Sequence, residues 1–148
     1  MINLNGQQSA LSNGGTGASL ANYGTLQGAA TVAMPVDHRG RISVLDGSTI
    51  VFTGSFTGVL GSAIHTGGGL QFDGPTTFES FYDITGGGYS IFRAQLDVGT
   101  AGVAGRLTSL GRVGLYGGLY TADILGARAG FGYDQLAAIP NRAVACPA

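Results

Sequence analysis

The chain has 148 residues with a formal net charge of −1, and charged residues make up 10% of it, against about 25% in an average soluble domain. Glycine supplies 28 residues, all seven basic residues are arginine, and Glu79 is the only glutamate. This composition excludes a helical bundle, which needs Glu and Lys at helical spacing. It excludes a nucleic-acid binder acting by phosphate neutralisation, which needs a basic excess, and 44% hydrophobic residues exclude a charge-rich disordered chain.

The first residues carry neither a basic region nor an apolar run, which predicts no secretory signal, and no run of 18 apolar residues predicts a membrane-spanning helix. Residues 1–30 form a compositional block of their own. Gln7 to Ala30 is uncharged and rich in Gly, Ser, Asn and Thr, with Leu11, Leu20, Tyr23 and Leu26 as isolated apolar points. Such a segment buries too little apolar surface to offset its ordering entropy. It is expected to be an extended arm, able to order against a neighbouring subunit by adding to a sheet edge.

From Thr31 the texture turns to alternation. Val32, Met34 and Val36 follow the strand period, with Pro35 marking an edge or an end. Asp37-His38-Arg39-Gly40 reads as a solvated turn. Arg41 to Leu45 and Thr49 to Thr53 read as two strands of a hairpin joined by Asp46-Gly47-Ser48. Gly67-Gly68-Gly69, Asp73-Gly74-Pro75 and Gly86-Gly87-Gly88 break the chain. Thr76 to Ile84 reads as a strand, and Tyr89 to Val98 as the longest one, with Phe92, Ala94, Leu96 and Val98 on its core face. Residues 99–133 are glycine-studded strands. A helix over Leu119 to Ala129 is the alternative there, opposed by Gly126. Val44 to Thr49 echoes Gln71 to Thr76 at an offset of 27, and Leu96 to Thr100 echoes again, which recurring hairpin turns explain without a solenoid repeat.

These features predict an all-β fold of short antiparallel strands, sandwich or jelly-roll-like. Residues 1–30 are the arm, 31–134 the β domain and 135–148 an irregular C-terminal tail. The lone Cys146 cannot form a disulfide within the chain and reads as an incidental thiol.

The chemical inventory assigns no catalytic residue, no cofactor-binding residue and no metal ligand. There is no lysine for a P-loop, no nucleophile elbow, no zinc spacing and no calcium loop. Asp37-His38-Arg39 is the best polar constellation, yet neighbours on a strand point to opposite faces, so Asp37 could orient His38 only in a turn. His65 reads as a turn or interface residue, and Glu79 as facing solvent or pairing with an arginine.

So few charges and no lysine leave β edges without their usual protection. The inference is a surface covered by other subunits. The chain is expected to be a non-enzymatic structural subunit of a large assembly, foremost a bacteriophage virion component such as a capsid decoration protein, spike or small fibre. Its partners would be copies of itself and other subunits, with no nucleic acid and no membrane span, and its location the virion. Rival readings are an extracellular adhesin or filament subunit, an outer-membrane barrel fragment over residues 88–133, and a glycan-binding β module using Tyr82, Tyr89, Tyr116 and Tyr120.

Overall fold

The computed structural model describes residues 1–4, 10–12, 17–79, 81–100, 103–116, 120–121 and 123–131. Its elements are strands only: β1 (Ile2–Leu4), β2 (Ala10–Leu11), β3 (Leu20–Asn22), β4 (Thr25–Gly28), β5 (Ala30–Val32), β6 (Val36–His38), β7 (Arg41–Val44), β8 (Thr49–Phe52), β9 (Phe56–Gly58) and β10 (Ala63–Thr66). They continue as β11 (Gly69–Phe72), β12 (Thr76–Phe78), β13 (Tyr82–Thr85), β14 (Tyr89–Phe92), β15 (Leu96–Thr100), β16 (Val103–Ala104), β17 (Arg106–Leu115), β18 (Tyr120–Thr121) and β19 (Asp123–Phe131).

From β1 to β12 each strand pairs with the strand three places on, not with its chain neighbour. β1, β4, β7, β10 and β13 make one face, closed by the first half of β17. A second face runs β2, β5, β8, β11, β14 and the second half of β17. The third runs β3, β6, β9, β12, β15 and β18. β17 turns the corner between the first two faces at its irregularity between Ser109 and Arg112, and β19 lies along it. Among the described residues every pairing is parallel except a two-residue antiparallel contact between β15 and β16. Three parallel ladders wound by one chain make a β-solenoid, each coil stacking on the last at about 4.8 Å.

The all-β expectation holds, and the antiparallel sandwich or jelly roll is overturned by this pairing. Alternation at period two marks a half-buried strand in either architecture, so it does not fix partners. What misled was the reading of turns. Asp46-Gly47-Ser48 is no hairpin: Gly47 takes φ 73°, and the chain swings from β7 onto the adjacent face as β8. Asp73-Gly74-Pro75 is likewise a corner. The two long strands expected over Thr76 to Ile84 and Tyr89 to Val98 are each broken by a corner, into β12 with β13 and β14 with β15. β19 replaces the alternative helix over Leu119 to Ala129.

The repeat is present in the sequence, but at twenty residues. Val32, Phe52, Phe72 and Phe92 stand twenty apart and are register partners on the second face. The echo at 27 aligns different corners of the coil. Uneven corners blur the period elsewhere, since Thr25 pairs with Arg41 but Arg41 with Ala63, and Tyr82 with Leu107.

The interior is a single core. Leu26, Ile42, Ile64 and Ile84 line the first face, and Ile50 and Leu70 the second, all fully buried. Phe72 stacks between Phe52 (ring centroids 5.4 Å) and Phe92 (4.8 Å). It also meets the ring edges of Phe56 and Phe78 at 4.9 and 6.1 Å. Aromatic pairs at such distances add stabilisation beyond their buried area. In the row Asn22, His38, Gly58, Phe78, Val98 on the third face, Gly58 leaves room for the Phe78 ring, whose Cδ1 lies 2.5 Å from where a Cβ would stand.

The structure places the described part of residues 1–30 on the same stack. β1, β3 and β4 are in register with later coils, and Leu4 and Leu26 lie in the common core. The proposed tail over residues 135–148, with Cys146, lies outside the described residues.

Candidate functional site

The Asp37-His38-Arg39 constellation is not a turn. Asp37 and His38 belong to β6, so their side chains take opposite sides of the third face, His38 inward and fully buried. The Asn22 amide nitrogen donates to the Arg41 carbonyl at 3.2 Å and to His38 Nδ1 at 3.1 Å. With Nδ1 an acceptor, the ring proton sits on Nε2, which donates to the Ala63 carbonyl at 3.1 Å. One neutral imidazole thus ties three successive coils together. Burial lowers its pKa below the ordinary 6.5, against the opposing pull of the Ala63 carbonyl and of Asp37. Both ring nitrogens are occupied by structural partners, so the group is a core fastening and not a general base.

A pH dependence follows. The unfolded chain binds a proton on His38 more readily than the folded one, so this stabilisation is complete above the unfolded value near 6.5 and is lost as pH falls below it, towards the depressed folded value. The urea midpoint of the wild type is expected to drop between about pH 7.5 and about pH 5 more steeply than that of His38→Gln, since Gln cannot take the proton. Equal slopes would contradict the assignment.

On the outer side, Arg39 Nε donates to Asp37 Oδ2 at 2.8 Å, and its guanidinium stands 5.9 Å from the Tyr23 ring centroid, within cation–π range. His65 is exposed on β10, its Nδ1 3.1 Å from Thr85 Oγ1. Glu79 is half-buried and accepts the Leu60 N–H at 3.4 Å, and its charge adds to the pull of Asp37 on the Arg39 guanidinium.

The four tyrosines of the glycan reading do not act together. Tyr82 is buried, its hydroxyl 2.7 Å from Ser62 Oγ, and burial pushes its phenol up to about 12 against that hydrogen bond. Tyr89 lies across Gly69 towards Thr49 Oγ1, 3.3 Å away. Tyr116 covers Gly114 on the same face, and the side chain of Tyr120 is outside the described residues. Beside Tyr89 the corner between the first and second faces forms an open trough of about 370 Å³ over Gly67–Gly69 and Gly87–Gly88, with Arg112 at one end. Its glycines have a structural cause. An added Cβ at Gly68 would overlap the Ser48 carbonyl, and one at Gly88 the Gly68 carbonyl.

The corner from the third face back to the first differs in kind. It carries Tyr23, Leu60 and Phe81, exposed by 72%, 65% and 66%. Leu60 stands at the tip of a turn closed by Ser62 N–H to Val59 C=O at 3.0 Å, with Gly61 at φ 89° in the position that favours glycine. Nothing in the composition separated these three from core residues, because only the coil register shows that they share one edge.

Among the described residues no group of three or more His, Cys, Asp or Glu could hold a metal ion, and no helix is long and apolar enough to cross a membrane. The class is therefore set by architecture: a three-faced parallel β-solenoid with an aromatic interior and a sparsely charged exterior. Comparison with protein-family models, curated proteins and solved structures returned no match.

Proposed function

We propose that the chain is a non-enzymatic structural subunit of a large assembly, a stiff rod of the kind that a virion spike or small fibre requires, with a bacteriophage particle as its setting. The observation that carries this reading is the continuous stack: three parallel ladders share one core from β1 to β17, so bending would break backbone pairing on at least one face. The outward rows support it. Thr31, Val51, Gln71 and Ile91 make an uncharged strip along the second face, each half-buried. Uncharged side chains along such a strip suit lateral packing against other subunits and offer little charge to keep copies apart.

The test is the mass of the native species. Light scattering on the full chain is expected to give multiples of the 14.9 kDa protomer, and electron microscopy of native material to find the chain in particles. A protomer that stays single at about 1 mM and is absent from any particle would overturn the proposal.

A further inference from the structure

We infer that the corner bearing Tyr23, Leu60 and Phe81 is a self-association surface, on which a second copy of this chain docks with its solenoid axis antiparallel. The inference names one contact of the proposed assembly and rests on that reading.

Three large apolar side chains, each about two-thirds exposed, line up along one edge of the rod. Single exposed apolar residues need no explanation, but three on one edge within four successive coils mark an interaction site. They are held outward by specific geometry. Tyr23 leans on Arg39, Leu60 crowns the corner between β9 and β10, and the Glu79 carboxylate lies beneath it on the Leu60 N–H.

The charges select the partner and its direction. Along the rod the corners follow in the order Tyr23, Arg39, Leu60, then Glu79 with Phe81, one per coil. Arg39 stands one coil before Leu60, its guanidinium paired with Asp37 at 2.8 Å and drawn also by Glu79. The Glu79 backbone stands one coil after Leu60, a step of about 4.8 Å, with its carboxylate reaching back to the Leu60 N–H. A two-fold axis through Leu60, perpendicular to the rod, sets Leu60 against its twin. It places Arg39 opposite the partner's Glu79 at both ends of the contact, and brings the partner's Phe81 against Arg39 and Gly40. A parallel pair would instead set Arg39 against Arg39 and Glu79 against Glu79. The antiparallel arrangement is isologous and self-limiting, as closed dimers are. The ridge is short compared with interfaces of roughly 1,200 Å² or more, so the isolated pair belongs to the weak class.

The test uses the full chain at concentrations up to about 1 mM, by sedimentation equilibrium. Arg39→Glu and Glu79→Arg are each expected to weaken dimerisation roughly tenfold or more, and the double variant to restore it, because like charges meet in the singles and opposite charges in the double. In a Cys146→Ser background, Leu60→Cys is expected to form a disulfide dimer on oxidation, while Thr57→Cys, on the third face, is not. Far-UV circular dichroism identical to wild type shows that the variants fold. Oligomers that ignore both charge reversal and Leu60→Ser would overturn the ridge while leaving the assembly reading standing. Cross-linking at position 60 without rescue in the double variant would overturn the antiparallel direction. A protomer that stays single throughout would overturn the ridge, and it would overturn the assembly reading as well where the chain is also absent from native particles.

Discussion

Phe72→Ala is expected to lower stability by about 3–5 kcal/mol, the range for removing a buried phenylalanine where the site cannot collapse. Phe72 is fully buried and meets four rings, Phe52, Phe56, Phe78 and Phe92. The backbone on either side is fixed by pairing of β11 to β8 and to β14, so neighbouring coils cannot close around the gap. A solenoid transmits this loss to its nearest neighbours first. Hydrogen exchange should therefore accelerate over β8, β11 and β14 before β1 and β4. Phe81→Ala is the control: 66% exposed on the outer corner, it should change the urea midpoint of dilute protein little, within about 0.5 kcal/mol. Similar midpoints for the two variants would contradict the core described above.

Gly88→Ala and Gly87→Ala, one residue apart, should behave oppositely. A methyl group at Gly88 would overlap the Gly68 carbonyl oxygen and lie 2.9 Å from the carbonyl carbon of Gly67, all backbone atoms of the coil below. That backbone cannot turn aside, because Gly88 N–H donates to Thr66 C=O, Tyr89 N–H to Gly68 C=O and Arg112 N–H to Gly88 C=O, each at 2.9 Å. The coils must separate and stretch those bonds, and the expected cost is about 1–3 kcal/mol or more. At Gly87 a Cβ meets nothing within 4 Å. Alanine there is expected to be neutral or to stabilise by about 0.4–1 kcal/mol, through the entropy of the unfolded chain. Thermal melting of the two variants checks the contrast, and an equal loss in both would show that the close approach of coils at Gly68 and Gly88 does not hold.

These two substitutions also show where a local reading of the sequence stops. Gly86-Gly87-Gly88 is legible as a break in the chain. Which of its glycines is indispensable depends on the carbonyls stacked below them, and those come from Thr66 to Gly68 in the previous coil. His38 is similar. Its position beside Asp37 invites a reading as a polar turn, yet Asn22, Arg41 and Ala63, brought alongside by coil stacking, make it a neutral core residue.

By itself the sequence determined that the protein is built of short strands and has no helical bundle. It also determined which parity of β14 and β15 faces inward: Phe92, Leu96 and Val98 are buried as their alternation requires, while Ala94, expected with them, is half-buried in the corner between the two strands. These properties follow from side-chain chemistry within a few residues of chain. The tertiary structure alone decided that the strands pair in parallel with the coil above and below, that Asp46-Gly47 turns a corner and does not reverse the chain, and that Tyr23, Leu60 and Phe81 share an edge. A corner and a hairpin demand the same local backbone freedom. The difference between them lies in partners some twenty residues away, where interior packing of Phe52, Phe72 and Phe92 sets the register.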